Sequence, residues 1–512
     1  MRVQRLLLWL GTRRLAVAIL FVSLFAMAVR APADTDTWWH LQAGRVTLES
    51  GRILQTDLFS HTCYGAHWIN HSWLSQVILY WLFDHFSYAG LGLWMGTVVA
   101  VAFAFVYLQM ESDVFTRAFI VVLAAATSGV IWSARPQLFS FLLTAVVAYL
   151  LYLFKWQQIN RLWLLPPLFV LWVNLHAGYA LGFIILLGFV AGEVLNNLLV
   201  LVAPPFLPPI GGDRGGEDPV VGWKGIGMVI LFSLLSALLL VLNPNTTQMW
   251  IYPFQTARIQ ILQQFIQEWQ SPDFHHLYTQ PFIWMLLATL AAVGLSGRRV
   301  DGSDLVLTCG LAYAALLAGR NIAPFALVAA PTLSRHVAAV LQRWGGVARE
   351  RGWLSAPCHR APTPALGAVN WGLLVLIVAL AGVKVHLPLR PAFNEALQQE
   401  SLPVGAIEWI RDNLPQGRMF NHYNWGGYLI WRLWPDYRVF VDGRTYLYGD
   451  EILHDYVEIQ AAGPHCGELL DEYEVSFVVT KAGDALGVVL GCTPGWRLVY
   501  EDVMAVIYVR VE

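Results

Sequence analysis

The feature that most constrains the fold is a series of long apolar runs in the first 387 residues of this 512-residue chain. About eleven of these runs are long enough, at roughly 17–25 residues with shorter tilted cases, to cross a lipid bilayer. Hydrophobic residues make up 57% of the chain and charged residues 13%, which is outside the range of soluble globular domains. The sequence therefore predicts a multi-pass α-helical membrane protein. The predicted spans are residues 15–31, 91–110, 118–133, 136–154, 162–175, 177–200, 226–242, 282–296, 304–318, 322–340 and 369–387.

Basic residues beside these runs predict the orientation of the chain. With a cytoplasmic N-terminus, about fifteen Arg and Lys residues fall in cytoplasmic segments, because such residues mark the loops that stay inside. The outer segments before residue 388 then carry only Arg30, Arg45, Arg52, Arg135, Arg258 and Arg320. We therefore expect an integral protein of a bacterial inner membrane with a cytoplasmic N-terminus and an extracytoplasmic C-terminal region. The net charge of −2 gives no indication of nucleic acid binding.

Two segments allow a second interpretation. The stretch WLSQVILYWLFDHF (73–86) is left out of the spans because a crossing there would invert every later loop; Trp73 and Trp81 suit an interfacial helix. A short spanning helix is the alternative. The N-terminal apolar run resembles a signal peptide, but we favour an uncleaved anchor, since cleavage would sever the segment that adjoins the acidic residues described below.

The chain changes character beyond residue 388. A helix-like segment is followed by apolar or alternating strand candidates, which together are typical of a small α/β domain. We predict a transmembrane domain over residues 1–387, with outer loops at about 32–90 and 243–281, and an extracytoplasmic α/β domain over 388–512. The helix candidate is PVGAIEWIRDNL (403–414), and the strand candidates are YRVFVDGR (437–444), VSFVVT (475–480) and VMAVIYVRV (503–511).

Two smaller features complete the organisation. The Gly- and Pro-rich segment PPFLPPIGGDRGGEDP (204–219) is predicted to be a flexible cytoplasmic linker. Cys466 and Cys492 lie in the predicted outer domain and could form a disulfide in an oxidising compartment. No CxxC or His/Cys spacing typical of a zinc site occurs.

Under this topology, the candidate polar residues share the outer side of the membrane. Asp34 and Asp36, in DTDTWWHLQAGR (34–45), directly follow the first span. Ionisable groups at membrane depth are costly and are therefore candidates for function. A transporter would more often carry them near the midplane, on broken helices in paired halves. The other candidates at the outer ends are His40, Arg45, Asp57, His71, Arg135, Asn174, His176, Glu268, Arg320 and Asn321.

The acidic pair also has a structural interpretation, because Asp34 and Asp36 could cap a helix that begins at Thr37. Alternatively, two such carboxylates suit a divalent cation, or a base whose proton affinity is raised by the second carboxylate. His40 follows Asp36 by one helical turn and could face the same site. As an isolated residue, it could equally be an ordinary interfacial histidine.

The remaining candidates allow similar alternatives. Arg135 and Arg320 could extend to lipid headgroups or hold phosphate oxygens in a bidentate fork. Asn174 and His176 lie between two apolar segments, where a helix turnaround alone would favour Asn. Glu268 falls in an outer loop of about forty residues, where a glutamate is usually only solvated.

The predicted outer domain carries two motifs with a structural and a functional interpretation. Asp442 and Arg444 end a strand candidate and could contact an acceptor, but Asp-Gly at the end of a strand is first a turn signal. The sequence NWGGY (424–428) is favoured as a point of tight backbone packing rather than a phosphate cradle.

The whole pattern resembles the GT-C class of membrane glycosyltransferases, in particular a family 39-like enzyme. The resemblance rests on the acidic pair after the first span, the long first outer loop with interfacial helices, the helix bundle and the outer α/β domain. More narrowly, it resembles a group of bacterial multi-pass membrane proteins assigned to that class. The motifs that carry this narrower resemblance are DTDTWWHLQAGR, GAHWINHSWLSQVILYWLF, RPQLFSF, LWVNLHAGY, QEWQSPDF, RNIAPF and NWGGYLIWRLWPDYRVFVDGR.

The resemblance implies a site and partners. It assigns the catalytic base to Asp36 or Asp34 and favours Asp36 by its spacing to Gly51. It implies that Arg135 and Arg320 bind the lipid phosphate. The expected partners are a polyprenyl-phosphate-linked sugar donor, a glycan, lipid or protein acceptor, and membrane lipids. The resemblance leaves the need for a divalent cation open; if one is used, Mg²⁺ or Mn²⁺ would be held by Asp34 and Asp36. The other expected substrate-binding residues are His40, Asn174, His176 and Glu268.

Three functions follow as expectations. The favoured one is an inverting transferase that moves a sugar from a polyprenyl-phosphate donor to an acceptor on the outer face. The second is a lipid-linked polysaccharide polymerase or ligase, which would not need the acidic pair after the first span. The third is a non-enzymatic scaffold or transporter, which should tolerate the loss of Asp34 and Asp36.

Overall fold

The computed structural model describes residues 9–202, 219–351 and 363–511. The predicted linker 204–219 lies outside the described residues except for its last residue. A helix occurs at each of the eleven segments predicted to span the membrane. These and the accompanying helices are α1 (Thr12–Ala28), α2 (Asp36–Ser50), α3 (Trp73–Leu108), α4 (Val114–Ser128), α5 (Gln137–Trp156), α6 (Leu165–Leu175), α7 (Tyr179–Val202), α8 (Trp223–Leu238), α9 (Gln248–Arg258), α10 (Gln260–Phe265), α11 (Gln280–Ser296), α12 (Gly302–Leu317), α13 (Ile322–Glu350) and α14 (Pro364–His386).

Seven helical segments in the described part of the chain are long and apolar enough to cross a membrane, by length and composition. Three shorter apolar helices, at 162–175, 280–296 and 302–317, accompany them. The protein is therefore an integral membrane protein. The number of crossings, and the side of the membrane on which each end lies, stay predictions.

Helix α3 consists of two helices that meet at a sharp bend. Ser87 breaks the helix with φ 53° and ψ −145°. A Cβ on Gly90 would lie 3.0 Å from the carbonyl carbon of Leu82, so only glycine allows the two parts to approach this closely. Residues 73–86 thus form a helix distinct from the predicted span that follows them. Their placement along the membrane surface stays a prediction.

The C-terminal region forms a small mixed sheet with helices around it. Its four strands are β1 (Arg418–Asn421), β2 (Val475–Lys481), β3 (Trp496–Glu501) and β4 (Ala505–Arg510). They lie in the order β1-β2-β4-β3, in which β1 and β2 are parallel and the other two pairs are antiparallel. Phe420 pairs with Val478, and Val478 pairs with Tyr508. The helices are α15 (Pro391–Ser401), α16 (Val404–Asn413), α17 (Gly426–Leu433), α18 (Thr445–Gln460), α19 (Cys466–Glu472) and α20 (Ala485–Cys492).

The prediction of a sheet strand at 437–444 is wrong. Val439 instead pairs with the first loop: its N–H donates to the Phe59 carbonyl at 3.0 Å, and its carbonyl accepts from the His61 N–H at 3.0 Å. The Asn421 side chain takes up the next backbone groups, accepting from the Phe440 N–H at 2.7 Å. The apolar alternation of this segment therefore reflects burial between the first loop and the C-terminal region, which we call the outer domain after its predicted side of the membrane.

The outer domain and the helix bundle share one hydrophobic core. Trp38 of α2 packs against Tyr428 of α17 with ring centroids 5.2 Å apart. Trp425 and Leu429 are buried in the same cluster. Cys466 and Cys492 are free thiols, the first buried and the second exposed, so the alternative of a disulfide between them is not realised.

Candidate functional site

The acidic pair lies at the start of α2, close to the outer domain. The backbone N–H of Asp36 donates to Asp34 Oδ1 at 3.0 Å, so Asp34 closes a turn before the helix. The N-cap residue is Thr35, and its side chain makes no capping hydrogen bond. One Asp34 carboxylate oxygen thus accepts a backbone hydrogen bond before α2, whereas the Asp36 carboxylate accepts none from the backbone of the described residues.

Arg135 lies between three carboxylates from separate parts of the chain. Its Nη2 is 2.8 Å from Asp36 Oδ2, and its Nη1 is 3.2 Å from Asp34 Oδ2 and 3.6 Å from Glu268 Oε2. The Arg135 side chain is 20% exposed, and the carboxylate side chains are 18–36% exposed. The four predicted residues therefore form one partly open ionic cluster, which we call the outer cluster: Asp34, Asp36, Arg135 and Glu268.

The electrostatics of the outer cluster favour a proton acceptor. Burial raises the pKa of Asp36 to about 6, since Asp34 and Glu268 add to the effect of burial and Arg135 only partly offsets it. Burial opposes the charge of Arg135, but Asp34, Asp36 and Glu268 raise its pKa above the ordinary value. Asp36 is thus ionised at neutral pH with an unusually high proton affinity, beside a permanent cation.

Three histidines lie near the outer cluster. Burial lowers the pKa of His71 to about 4, and burial with nearby Arg135 lowers the pKa values of His40 and His176 well below the ordinary value. All three rings are therefore neutral at neutral pH. The rings of His71 and His176 are 5.8 Å apart.

His176 has a defined tautomer. Its Nδ1 accepts from the Gly178 N–H at 3.1 Å and lies 2.8 Å from the Ser140 hydroxyl, so Nε2 carries the proton. His40 lies 3.4 Å from the Gln76 amide through Nδ1. Neutral imidazole N–H groups of this kind can donate to substrate oxygens.

Asn174 and Arg320 differ in how far their polar groups are already engaged by other residues of the protein. The Asn174 carbonyl accepts from Trp73 Nε1 at 2.8 Å and from Asn243 at 3.3 Å, and its amide donates to a helix carbonyl. Asn174 thus joins three segments through its own hydrogen bonds. The Arg320 guanidinium lies over the Trp269 ring, 4.2 Å from its centroid, and makes no ion pair with any residue in the described ranges.

The outer domain contributes two residues that the sequence did not single out. Tyr423 is held neutral: burial raises its pKa, and Asp36, Asp442 and Glu268 raise it further. A Cβ on Gly443 would lie 2.7 Å from Cγ and 3.0 Å from Oδ2 of Asp36. The Asp-Gly pair at 442–443 predicts only a turn, and Tyr423 begins a short 3-10 helix, so only the fold reveals that both residues lie near Asp36.

Asp442 and Arg444 are buried in a structural ion group. Arg444 Nη2 is 2.6 Å from Asp442 Oδ2, and Nη1 is 2.5 Å from Asp57 Oδ1. The Arg444 side chain is 2% exposed and both carboxylates are 0% exposed. Neither residue is accessible to an acceptor, and the structural interpretation of this motif is confirmed. Close packing at NWGGY is also confirmed, because a Cβ on Gly427 would lie 2.5 Å from the Thr35 carbonyl oxygen.

The outer cluster does not fit a divalent cation as arranged. The carboxylate oxygens that would bind the ion face the Arg135 guanidinium, which a cation would have to displace. Within residues 9–202, 219–351 and 363–511, no group of three or more His, Cys, Asp or Glu side chains is placed to hold a metal ion. We therefore derive no chemical step through Mg²⁺ or Mn²⁺.

Comparisons with known proteins bear on the fold. Neither a protein-family model nor a curated protein matches the sequence. The oligosaccharyltransferase of Archaeoglobus fulgidus in the apo form matches with a TM-score of 0.55 at 12% identity, over 98% of this chain and 75% of that chain. The oligosaccharyltransferase AglB from the same organism, in complex with an inhibitory peptide and a dolichol-phosphate, matches with a TM-score of 0.53 at 11% identity, over 97% of this chain and 74% of that chain.

ArnT from Cupriavidus metallidurans in the apo state matches at 13% identity over 97% of this chain and 96% of that chain, with a TM-score of 0.45, which is too low to support an argument. The archaeal oligosaccharyltransferase belongs to the GT-C class. The GT-C-like fold expected from the sequence is therefore confirmed. At these identities the likeness shows the fold alone.

Proposed function

We propose that this protein is an inverting glycosyltransferase that moves a sugar from a polyprenyl-phosphate donor to an acceptor on the outer face of the membrane. The observation that carries the proposal is the partly open cluster in which Arg135 holds Asp36 beside two further carboxylates. The fold supports it, because the archaeal enzyme of the same fold is an oligosaccharyltransferase and has been captured with a dolichol-phosphate.

Asp36 acts as the general base. Its carboxylate accepts the proton of an acceptor hydroxyl, whose oxygen forms the new bond to the anomeric carbon while the bond from that carbon to the phosphate oxygen breaks. The phosphate leaves with the electron pair and stays on the lipid. A single displacement of this kind inverts the configuration at the sugar.

Arg320 and Arg135 share the charge on the donor phosphate. Arg320 makes no ion pair with a described residue and lies on the ring of Trp269, the residue that follows Glu268, so its guanidinium can take phosphate oxygens directly. Arg135 keeps Asp36 ionised next to the reacting carbon. Charge that develops on the leaving phosphate is stabilised by such fixed cations in a site partly shielded from water.

The test is transfer of radiolabelled glucose, galactose, mannose or arabinose from undecaprenyl phosphate in membranes that contain the protein. Wild type, Asp34→Asn and Asp36→Asn are compared with Asp273→Asn, an exposed aspartate of the same outer loop as Glu268. Expression and folding of each variant are checked by detergent size exclusion. We expect Asp36→Asn to lower incorporation by about 10²–10⁴-fold, the range of general base catalysis, and Asp273→Asn to match wild type.

Equal incorporation by wild type and both site variants would show that the acidic pair is structural. Loss in Asp34→Asn but not in Asp36→Asn would move the base to Asp34. If wild type uses none of the four donors, the transferase proposal fails, and a polysaccharide polymerase or ligase or a non-enzymatic role takes its place.

A further inference from the structure

The outer domain presses a glycine against the carboxylate of Asp36. The space for a Cβ on Gly443 is taken by the Asp36 side chain, with Cγ at 2.7 Å, Oδ2 at 3.0 Å and Oδ1 closer still. The φ of Gly443 is not positive. The reason for a glycine at this position is therefore the space that Asp36 occupies and not a left-handed backbone.

The loop that carries Gly443 is anchored on both sides. Arg444 donates from Nε to Asp442 Oδ1 at 2.8 Å and pairs with Asp57 of the first loop at 2.5 Å. Its guanidinium also lies over the rings of Phe59 and Trp68, 5.2 and 4.9 Å from their centroids. Moving the loop would separate the Arg444 guanidinium from Asp442 and Asp57 and leave buried charges without a partner, which costs free energy. The loop is therefore held in this position.

Contacts on the flanking backbone restrict the loop further. Val439 exchanges backbone hydrogen bonds with Phe59 and His61 of the first loop, each at 3.0 Å. On the other side, Gly427 lies against Thr35, the residue before Asp36. The outer domain thus contacts the start of α2 from two directions, and Arg135 contacts the carboxylate from a third.

We propose that Gly443 is a positioning residue, and that the outer domain thereby holds the Asp36 carboxylate against Arg135 in the geometry that catalysis requires. The inference rests on the proposed function. It assigns the outer domain a part in the chemistry of the site, because the side chain of Asp36 is confined between Gly443 and the Arg135 guanidinium.

The substitution Gly443→Ala tests the positioning role. The added methyl group meets the end of a short side chain that can rotate, so the fold should persist while the carboxylate moves. A displacement of about 1 Å can cost on the order of a hundredfold in rate. We expect Gly443→Ala to lower kcat by about tenfold to a hundredfold with KM within about twofold of wild type. The matched control is Gly467→Ala in the same domain, where an added Cβ meets no atom within 4 Å.

A second readout distinguishes displacement of Asp36 from general damage. The added methyl group cannot push the carboxylate further toward Arg135, which is already 2.8 Å away, so the Asp36 side chain must rotate out of its place between the two. Because Arg135 lowers the pKa of Asp36, a carboxylate that has lost part of this contact holds its proton to higher pH. The acid limb of the kcat profile of Gly443→Ala, measured with the best undecaprenyl-phosphate donor of wild type, should therefore lie at higher pH than in wild type. A kcat and a pH profile equal to those of Gly467→Ala would overturn the positioning role.

A double-mutant cycle keeps the test decisive if Gly443→Ala folds poorly. Asp36→Ala removes the atoms that the new methyl group would meet, so Gly443→Ala should cost thermal stability in the wild-type background and little in Asp36→Ala. An equal loss of stability in both backgrounds would contradict the contact. The proposed function fails separately, when wild type shows no transfer or Asp36→Asn retains it.

Discussion

Two ionic groups lie at opposite ends of the same helix bundle and differ in how completely they are enclosed. In the outer cluster, the side chains of Arg135 and its three carboxylates are 18–36% exposed. At the other end, Lys155 of α5 contacts Glu193 of α7 and Asp301 before α12, and these side chains are 0–3% exposed. We call the second group the inner network.

The hydrogen bonds of the inner network are nearly complete. Lys155 donates to both carboxylates and to Ser303 at 3.0 Å. Asp301 also caps α12, accepting from the Ser303 N–H at 3.0 Å, and Glu193 accepts from the Val221 N–H at 2.9 Å. By contrast, the Asp36 carboxylate has the Arg135 guanidinium on one side and can accept a proton. Both ionic groups thus contain charged side chains at membrane depth. The outer cluster differs from the inner network because its Asp36 carboxylate can still bind a proton, and this difference marks the outer cluster as the candidate site.

The largest effect is expected from Lys155→Met, which tests whether the inner network serves stability alone. The substitution leaves Glu193 and Asp301 buried without a counter-charge, and breaking such a pair costs about 3–5 kcal/mol. Thermal unfolding of the detergent-solubilised protein should shift to lower temperature, while transfer per folded molecule stays as in wild type. The control is Arg161→Met, on an exposed loop residue, which should leave the unfolding temperature unchanged.

Normal stability of Lys155→Met together with lost transfer would instead show that the inner network serves catalysis. The same variants therefore decide whether the two groups have different roles.

The second prediction concerns the pH dependence of the outer cluster. The base must be ionised, so transfer should fall about tenfold per pH unit below a pKa of about 6 for Asp36. Glu268 raises that pKa, and Glu268→Gln should therefore move the acid limb to lower pH. The measurement is the initial transfer rate of both proteins between about pH 4.5 and 8, with closely spaced pH values around the pKa of Asp36. An unmoved limb in Glu268→Gln would separate Glu268 from the base.

Much of the outer cluster could be predicted from the sequence because three of its four members stand beside apolar runs. Asp34 and Asp36 follow the first run, Arg135 precedes another, and Glu268 lies in the loop between two more. The apolar runs define where helices end, and residues at helix ends on one side of a membrane can meet. The pairing with one guanidinium at 2.8–3.6 Å depends on how the helices pack, which the sequence does not show locally.

The sequence does not show the inner network or the outer-domain contacts, and the reason is physical. Lys155 has the position of an ordinary basic residue flanking a span, since its partners lie in other segments of the chain. Glu193 was the available signal, because a glutamate inside an apolar run needs a buried partner. The segment 437–444 alternates like a sheet strand, yet its partners lie in the first loop, far away in the chain. Alternation reports burial on one face but not the identity of the partner.

A smaller effect is expected from Tyr423→Phe in the outer domain. The Tyr423 hydroxyl makes no hydrogen bond with any residue of the described chain, and its pKa is raised by Asp36 and Glu268 after burial. A donor near the outer cluster that serves no structural bond should serve the substrate. Loss of one such hydrogen bond corresponds to about a 2–10-fold decrease in kcat/KM. Tyr446→Phe, which removes a hydroxyl bonded to Gln255 at 3.0 Å, is the control and should keep full transfer; equal rates for both variants would exclude Tyr423 from the site.

The smallest effect, and the one that tests the outer cluster most directly, is expected from removal of divalent cations. Arg135 already supplies a fixed positive charge to Asp34, Asp36 and Glu268, so transfer by wild-type membranes should be unchanged in EDTA and unchanged by added Mg²⁺ or Mn²⁺. In Arg135→Met the three carboxylates lose their counter-charge. Their oxygens are hard ligands and can then bind a divalent ion in place of the guanidinium. The residual transfer of that variant should therefore rise with added Mg²⁺. Wild-type activity that disappears in EDTA and returns with Mg²⁺ would show that a metal displaces the guanidinium, and that the outer cluster works in an arrangement different from the one described.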